Sequence, residues 1–283
     1  MGLEDFLGAV RRSLRRDARG ADLQLEPVMD DAPHPQGRAS ALMAAMARRR
    51  VVALTGAGVS AESGIPTFRG PGGLWRGYRP EDLASPEAFA QDPVRVWEWY
   101  AWRRERIARA TPNPAHRTLA AMEEALPDFV LITQNVDGLH ARAGSRRVIE
   151  LHGNLWRMRC IREGRVWEDH RVPLPELPPR CPACGALARP DVVWFGEPLP
   201  EAALAQAFRV AGEAEILLII GTSGLVEPAA SLPRWAHAHG ARLIEFNIED
   251  TALTPLADEV WRGPVGETLP QWWVQFSTAS GTR

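Results

Sequence analysis

Val51-Val52-Ala53-Leu54-Thr55-Gly56-Ala57-Gly58-Val59-Ser60-Ala61-Glu62-Ser63-Gly64-Ile65-Pro66-Thr67-Phe68-Arg69-Gly70 is the stretch that decides how this chain folds. A continuous apolar run feeds a Gly-rich turn, and a helix start follows. Parallel α/β proteins bind pyrophosphate at such junctions: glycine lets the backbone approach the phosphates, and a helix N-terminus offers free N–H groups. The spacing Gly56-x-Gly58-x-x-Ala61 fits the dinucleotide fingerprint with Ala as its third member. By itself that spacing also fits an ordinary tight turn between a strand and a helix.

Working outward, further apolar runs read as buried parallel strands: Phe129–Ile132, Val148–Leu151, Ile216–Ile220 and Arg242–Phe246, beside the first at 51–54. Helical patterns lie between them, at Ala203–Ala211 and at Ala229–His239, the latter stopped by Gly240. Ser40 is placed to cap a helix running to Arg49. This alternation predicts an α/β fold, a Rossmann-like doubly wound parallel sheet. Two segments break the alternation. One, at about 74–111, is rich in Trp, Arg and Glu and reads as helical; the other, at about 156–189, holds every cysteine. Both are assigned to an inserted small domain, a helical part plus a zinc-ribbon-like module. The large part is then about 39–73, 112–155 and 190–275, with a flexible tail at 276–283.

Residues 1–38 differ from the rest. Leu3, Phe6, Leu7, Val10 and Leu14 recur at helical spacing beside Arg11, Arg12, Arg15 and Arg16, which predicts a short surface helix and then a linker through Asp30–Pro35. Glu4, Asp5 and Asp17 argue against a transit peptide, and no apolar core of a secretion signal is present. Across 283 residues no apolar run approaches the ~20 needed to span a membrane. A net charge of −2 offers no bulk attraction to nucleic acid. The expectation is therefore a cytoplasmic protein with no membrane or nucleic-acid partner, and a monomer. All 33 basic residues are arginine, so no side-chain lysine is present to be modified. Three cysteines are too few for a disulfide framework, and Cys181-Pro182-Ala183-Cys184 points to metal or redox chemistry.

Polar residues cluster where open α/β sheets bind ligands, just beyond the strand ends. These are Gln134, Asn135 and Asp137; Gly221, Thr222 and Ser223; and Asn247, Ile248 and Glu249. His152 follows another strand, and its imidazole, with an ordinary pKa of ~6.5, can take a proton at neutral pH. The strings Gly56–Gly70, Thr133-Gln134-Asn135-Val136-Asp137-Gly138-Leu139-His140 and Leu151-His152-Gly153-Asn154-Leu155 together closely resemble the sirtuins, the NAD-dependent protein lysine deacylases.

That resemblance, over about residues 39–275, implies NAD as a consumed co-substrate, an acyl-lysine protein substrate, and release of nicotinamide and O-acyl-ADP-ribose. It implies pyrophosphate held by the amides of Gly56, Ala57, Gly58 and Ser60, and a mobile cofactor loop through Thr67, Phe68, Arg69 and Trp75. It places Asn135 and Asp137 at the nicotinamide, Gln134 at the ribose, and Gly221, Thr222, Ser223, Asn247, Ile248 and Glu249 at the adenosine half, with Gly263-Pro264-Val265 closing over the adenine. It makes His152 the catalytic base and leaves His116 and His140 structural. Tyr100-x-x-Arg103 resembles the pair that marks class III sirtuins, which remove succinyl, malonyl and glutaryl groups. The residues agree, since positions three apart share a helix face and a guanidinium grips a carboxylate bidentately.

Val192–Glu197 is expected to be an exposed edge that pairs with substrate backbone, offering Val193, Phe195, Gly196 and Glu197, with Gly224–Val226 opposite. Sirtuins usually carry two Cys-x-x-Cys pairs on one structural zinc. Here Cys181 and Cys184 form a complete pair, whereas Cys160 faces Glu163 where its partner would stand. Glu163, Asp169, His170 or water remain open as the fourth ligand. The alternatives are a plain deacetylase, an ADP-ribosyltransferase using the same pocket, and a non-catalytic NAD or ADP-ribose sensor.

Overall fold

The structure is a computed structural model that describes residues 49–67 and 79–279. The extension at 1–38, the helix expected after Ser40, and Phe68, Arg69 and Trp75 lie outside the described residues. The described residues all fall in one compact unit, 43–283.

Six parallel strands form the large sheet: β1 (Val51–Thr55), β2 (Val130–Thr133), β3 (Val148–Glu150), then, later in the chain, Ile216–Ile220, Arg242–Asn247 and Glu259–Arg262. A three-stranded antiparallel sheet intervenes, made of β4 (Gly153–Cys160), β5 (Val166–Glu168) and β6 (Ala188–Val192), so the later parallel strands are β7, β8 and β9. The large sheet runs β3-β2-β1-β7-β8-β9. Read in order of appearance this is the doubly wound order, with its switch point between β1 and β7. Every residue of β1 and β7 is buried, as strands covered on both faces must be.

On one face, Val51, Ala53, Leu131, Leu218 and Phe246 pack with Ala115, Leu119 and Met122 of the helix Pro114–Ala125 and with Leu269 and Trp272 of the C-terminal helix Val265–Ala279. Asn113 caps the first of these helices by accepting from the Ala115 and His116 amides, with Pro114 pre-set at the first helical position. The C-terminal helix continues to Ala279, so residues 276–279 are helical where the sequence reading expects a flexible tail. Glu201–Gly212 and Ser231–Ala238 are the further helices, within a residue or two of the expected ranges. One local expectation changes. The chain after Gly56 forms a 3-10 helix, Ala57–Ser63, which stops where Gly64 (φ 81°) turns left-handed and Pro66 follows.

The small part combines the helices Pro86–Gln91 and Pro93–Arg109 with the antiparallel sheet. Trp97, Tyr100 and Ile107 pack against Leu155, Met158, Ala188 and Trp194, and the Trp97 indole N–H donates to the Ala188 carbonyl at 2.8 Å. The sheet begins at Gly153 and ends at Val192, so it takes in a few residues on either side of the expected 156–189. Among the described residues no helix is long and apolar enough to cross a membrane.

Candidate functional site

The site starts at the switch point, where the turns leaving β1 and β7 touch. Gly56 N–H donates to the Ile220 carbonyl at 3.0 Å and Gly58 N–H to the Gly221 carbonyl at 2.8 Å. Gly221 has φ 56°, and a Cβ there would lie 2.5 Å from the Val59 nitrogen, so only glycine fits. This corrects one expectation. The Gly56 and Gly58 amides are already committed, and these glycines serve close turn-to-turn packing. Ala57, first in the 3-10 helix, has an N–H with no acceptor inside that helix.

Beyond β2 the polar side chains interlock. Gln134 Nε2 donates to Thr222 Oγ1 at 3.0 Å, and Asn135 Nδ2 donates to the Gly56 carbonyl at 3.0 Å. Asn247 Nδ2 donates to the Thr222 carbonyl at 3.0 Å, joining the end of β8 to the same turn. Ser223 is half-buried, whereas Ile248 and Glu249 are exposed. Val265 is the exception among the expected contacts. Its side chain is packed in the core with Val59, Phe246 and Leu269, so only its backbone is left to face a ligand. Thr67 is the last described residue before the segment that holds Phe68 and Arg69.

Ser60, expected to act through its amide, is held by its side chain. Its Oγ donates to Asp137 Oδ2 at 2.8 Å and accepts from Asn135 Nδ2 at 3.3 Å. The Asn113 N–H donates to His116 Nδ1, so the proton of that ring sits on Nε2, which donates to Ser60 Oγ at 3.4 Å. Asp137 Oδ1 accepts from the Leu139 amide, which completes a fixed carboxylate. His140 lies 4.9 Å from His116, ring to ring, and its Nε2 donates to Thr55 Oγ1, whose own proton goes to Thr133. Burial holds both imidazoles well below their usual 6.5, His116 at about 3 and His140 at about 4, so both are neutral. His116, expected to be structural, bonds directly to Ser60 in the site.

His152 stands at the seam between the two sheets. Leu151 N–H bonds to Thr133 in the large sheet, and the His152 carbonyl accepts from Val193 N–H. Gly153 (φ 81°) turns the chain there, where a Cβ would come within 2.1 Å of the Asp191 carbonyl. The Gln134 carbonyl, 2.9 Å from His152 Nδ1, can only accept, so Nδ1 carries the proton and Nε2 keeps its lone pair. Burial lowers the pKa of this ring, and the bond to Gln134 partly offsets that. The result is a half-buried imidazole with a fixed tautomer.

Tyr100 and Arg103 are both buried on the helix Pro93–Arg109, and the Arg103 guanidinium lies 5.6 Å from the Tyr100 ring centre. Arg103 lines a cavity together with Ala57, Ser60, Asn135 and Asp137. The helix therefore delivers an arginine to the polar ring built by β1 and β2. The Val192–Glu197 segment is not an edge strand. β6 ends at Val192, and the N–H groups of Val193 and Phe195 donate to His152 and Ala84. Phe195 remains 43% exposed, and Gly196 (φ 86°) makes the turn after it. Glu197 turns inward, accepting from Arg189 at 2.8 Å and from Trp194 N–H at 2.9 Å. The ion pair bends the chain away from the extended course that its β-propensity predicts.

At the far end of β4, Cys160, Cys181 and Cys184 converge with Glu163, and one ligand atom from each lies within 4.8 Å of all the others. A tetrahedral zinc with Zn–S of ~2.3 Å needs sulfurs about 3.8 Å apart, and Cys160 and Cys184 are at 3.5 Å. Asp169 is committed to Arg171 and Arg104, and His170 stacks on Trp156. Of the residues left open by the sequence, Glu163 is the one the fold brings to the cysteines.

Comparison with known proteins agrees with this geometry. The Sir2 family profile matches residues 56–228. The NAD-dependent protein deacylase of Aquifex aeolicus is 56% identical over 213 residues, covering 75% of this chain and 89% of that protein. One from Thermus thermophilus is 57% identical over 216 residues, covering 74% and 83%. Among solved structures, a Sir2 homologue in complex with NAD is 49% identical with a TM-score of 0.78, covering 85% of this chain and 94% of that one. A Sir2–p53 peptide–NAD+ complex is 32% identical with a TM-score of 0.72, covering 88% and 100%.

Proposed function

The chain belongs to the Sir2 family and is an NAD-dependent protein lysine deacylase, and from that premise we propose that it removes succinyl and malonyl groups in preference to acetyl. The observation that carries this reading is Arg103, a guanidinium only 5% exposed that lines the same cavity as Ser60, Asn135 and Asp137, with Tyr100 one helical turn before it. A guanidinium presents paired N–H donors in a planar fork that matches a carboxylate bidentately, so an acyl group ending in a carboxylate fits this residue better than one ending in a methyl group.

The switch-point residues fit NAD. The two turns interlock through Gly58 and Gly221, leaving Ala57 to face a phosphate, and Gln134, Thr222 and Asn247 form one hydrogen-bonded ledge at the strand ends. NAD, when bound, supplies an electrophilic ribose carbon and a leaving nicotinamide, and its ribose takes the acyl group, releasing O-acyl-ADP-ribose. Ser60, Asn135 and Asp137 form the polar wall for the amide of the nicotinamide. His152 Nε2 accepts the proton of a ribose hydroxyl, and Gln134 fixes the ring so that this lone pair is the one presented. Phe195 and Leu225, both exposed, are apolar surfaces available to the acyl-lysine peptide. Zinc, held by Cys160, Cys181, Cys184 and Glu163, would tie β4 to the Cys181–Cys184 turn, away from the reacting groups.

The test compares acetyl-, succinyl- and malonyl-lysine peptides at fixed NAD. A charge-assisted hydrogen bond contributes ~1.5–3 kcal/mol, so succinyl should be preferred by roughly 10–100-fold in kcat/KM. Arg103→Met should abolish that preference while sparing deacetylation. Equal loss of both activities would reduce Arg103 to a structural residue.

A further inference from the structure

Trp194 is absorbed by none of the roles above, yet it is 3% exposed and its indole N–H donates to Tyr100 Oη at 2.9 Å. The indole is rigidly held. The Arg189 guanidinium sits 3.4 Å over the ring centre, Phe89 packs 5.3 Å away, and the Trp194 amide is tied to Glu197. Arg189 and Glu197 in turn pair with each other. A cation on the face of an indole withdraws electron density and makes its N–H a stronger donor.

A phenol oxygen carries one proton and has one good in-plane acceptor direction. Trp194 fills that acceptor, so the phenol can act toward a ligand only as a donor. Burial holds the Tyr100 phenol above its ordinary range, so it keeps the proton it would donate. Arg103 carries N–H donors and no acceptor. We propose that Trp194 determines acyl specificity: by occupying the Tyr100 acceptor it makes Tyr100 and Arg103 a donor-only pair, matched to an acyl chain ending in a carboxylate and mismatched to one ending in a carboxamide. Trp194 is thus a positioning residue that acts through Tyr100. This rests on the acyl reading above.

The experiment measures kcat/KM at fixed NAD for peptides bearing acetyl-lysine, succinyl-lysine and the succinyl carboxamide of the same length. It uses the full chain, Trp194→Phe, Tyr100→Phe and the double variant. Trp194→Phe keeps an aromatic ring and deletes the N–H, so the exposed phenol lone pair faces the carboxylate. The succinyl-to-acetyl ratio should fall about fivefold, the size of one lost hydrogen bond. The succinyl-to-carboxamide ratio should fall at least as much, because the freed phenol can now accept from the carboxamide. The double variant should lose no more than Tyr100→Phe alone. Equal loss on all three peptides, or additive losses in the double variant, would overturn the assignment. Arg103→Met in the same assay separates the two ideas. If it leaves the succinyl-to-acetyl ratio unchanged, the acyl reading itself fails. If it collapses that ratio and Trp194→Phe does not, only the role of Trp194 falls.

Discussion

Lowering the pH from 7 to 5 should cost this protein about 4 kcal/mol of stability through two buried imidazoles. His116 and His140 have folded pKa values of about 3 and about 4, against an ordinary 6.5. Because the folded values are the lower ones, the unfolded chain binds more protons between pH 6.5 and 4. Stability therefore rises with pH across that window and falls on acidification. Each ring contributes about 2 kcal/mol at pH 5, and near pH 5.5 each has a slope of about 1.2 kcal/mol per pH unit. The geometry explains the depression. A proton on His116 Nδ1 would oppose the Asn113 N–H that now donates there. His140 Nδ1 is buried with no hydrogen-bond partner among the described residues, so a charge there would be unanswered. The rings are also only 4.9 Å apart, so charging one opposes charging the other. Burial raises Asp169 and Glu197, but the hydrogen bonds and charges of Arg171 and Arg189 outweigh it and hold both below the usual carboxylate range. Urea unfolding at pH 7, 6 and 5 reads the effect. His140→Gln, which keeps an N–H for Thr55, should lower the slope near pH 5.5 by about 1.2 kcal/mol per pH unit, leaving the share of His116 and of His152, which burial also lowers. Stability that stays flat from pH 7 to 5, or a variant with the full slope, would refute the reasoning.

Further outcomes are expected at His152 and at the metal site. His152→Ala should lower kcat by ~10²–10⁴ with NAD binding largely kept, as read by product mass spectrometry and NAD titration; in the parent enzyme the acidic limb of kcat/KM should lie below pH ~6.5, since burial lowers the pKa of this ring, and a limb above 7 would contradict a buried neutral base. Protein purified without chelator should carry up to one zinc per chain; Glu163→Ala should weaken zinc retention against a competing chelator and lower Tm, Glu163→Cys should strengthen it, and zinc affinity indifferent to both would remove Glu163 from the ligand set.

The strands, the helix alternation and the binding strings are legible in the sequence because their signals are local. Buried parallel strands show as apolar runs, helices as spaced apolar residues with caps, and a strand-to-helix turn as glycines in register. Those signals placed the residues that follow β1, β2, β7 and β8 at one end of a sheet, along with His152. What the chain alone leaves open is the choice of partner between groups far apart in sequence. Glu163, Asp169 and His170 are alike as candidate metal ligands on paper, and packing brings Glu163 to the cysteines while it commits Asp169 to Arg171 and Arg104. The Gly56 and Gly58 amides read as phosphate donors until a turn more than 160 residues later takes them. Glu197 reads as part of an exposed edge until Arg189 draws it in, and Trp194 reads as a strand residue until the helix 94 positions earlier presents Tyr100 to its indole. Hydrogen-bond capacity is finite, so a group's chemistry is settled by whichever donor or acceptor the fold brings within about 3 Å, and only tertiary structure decides that.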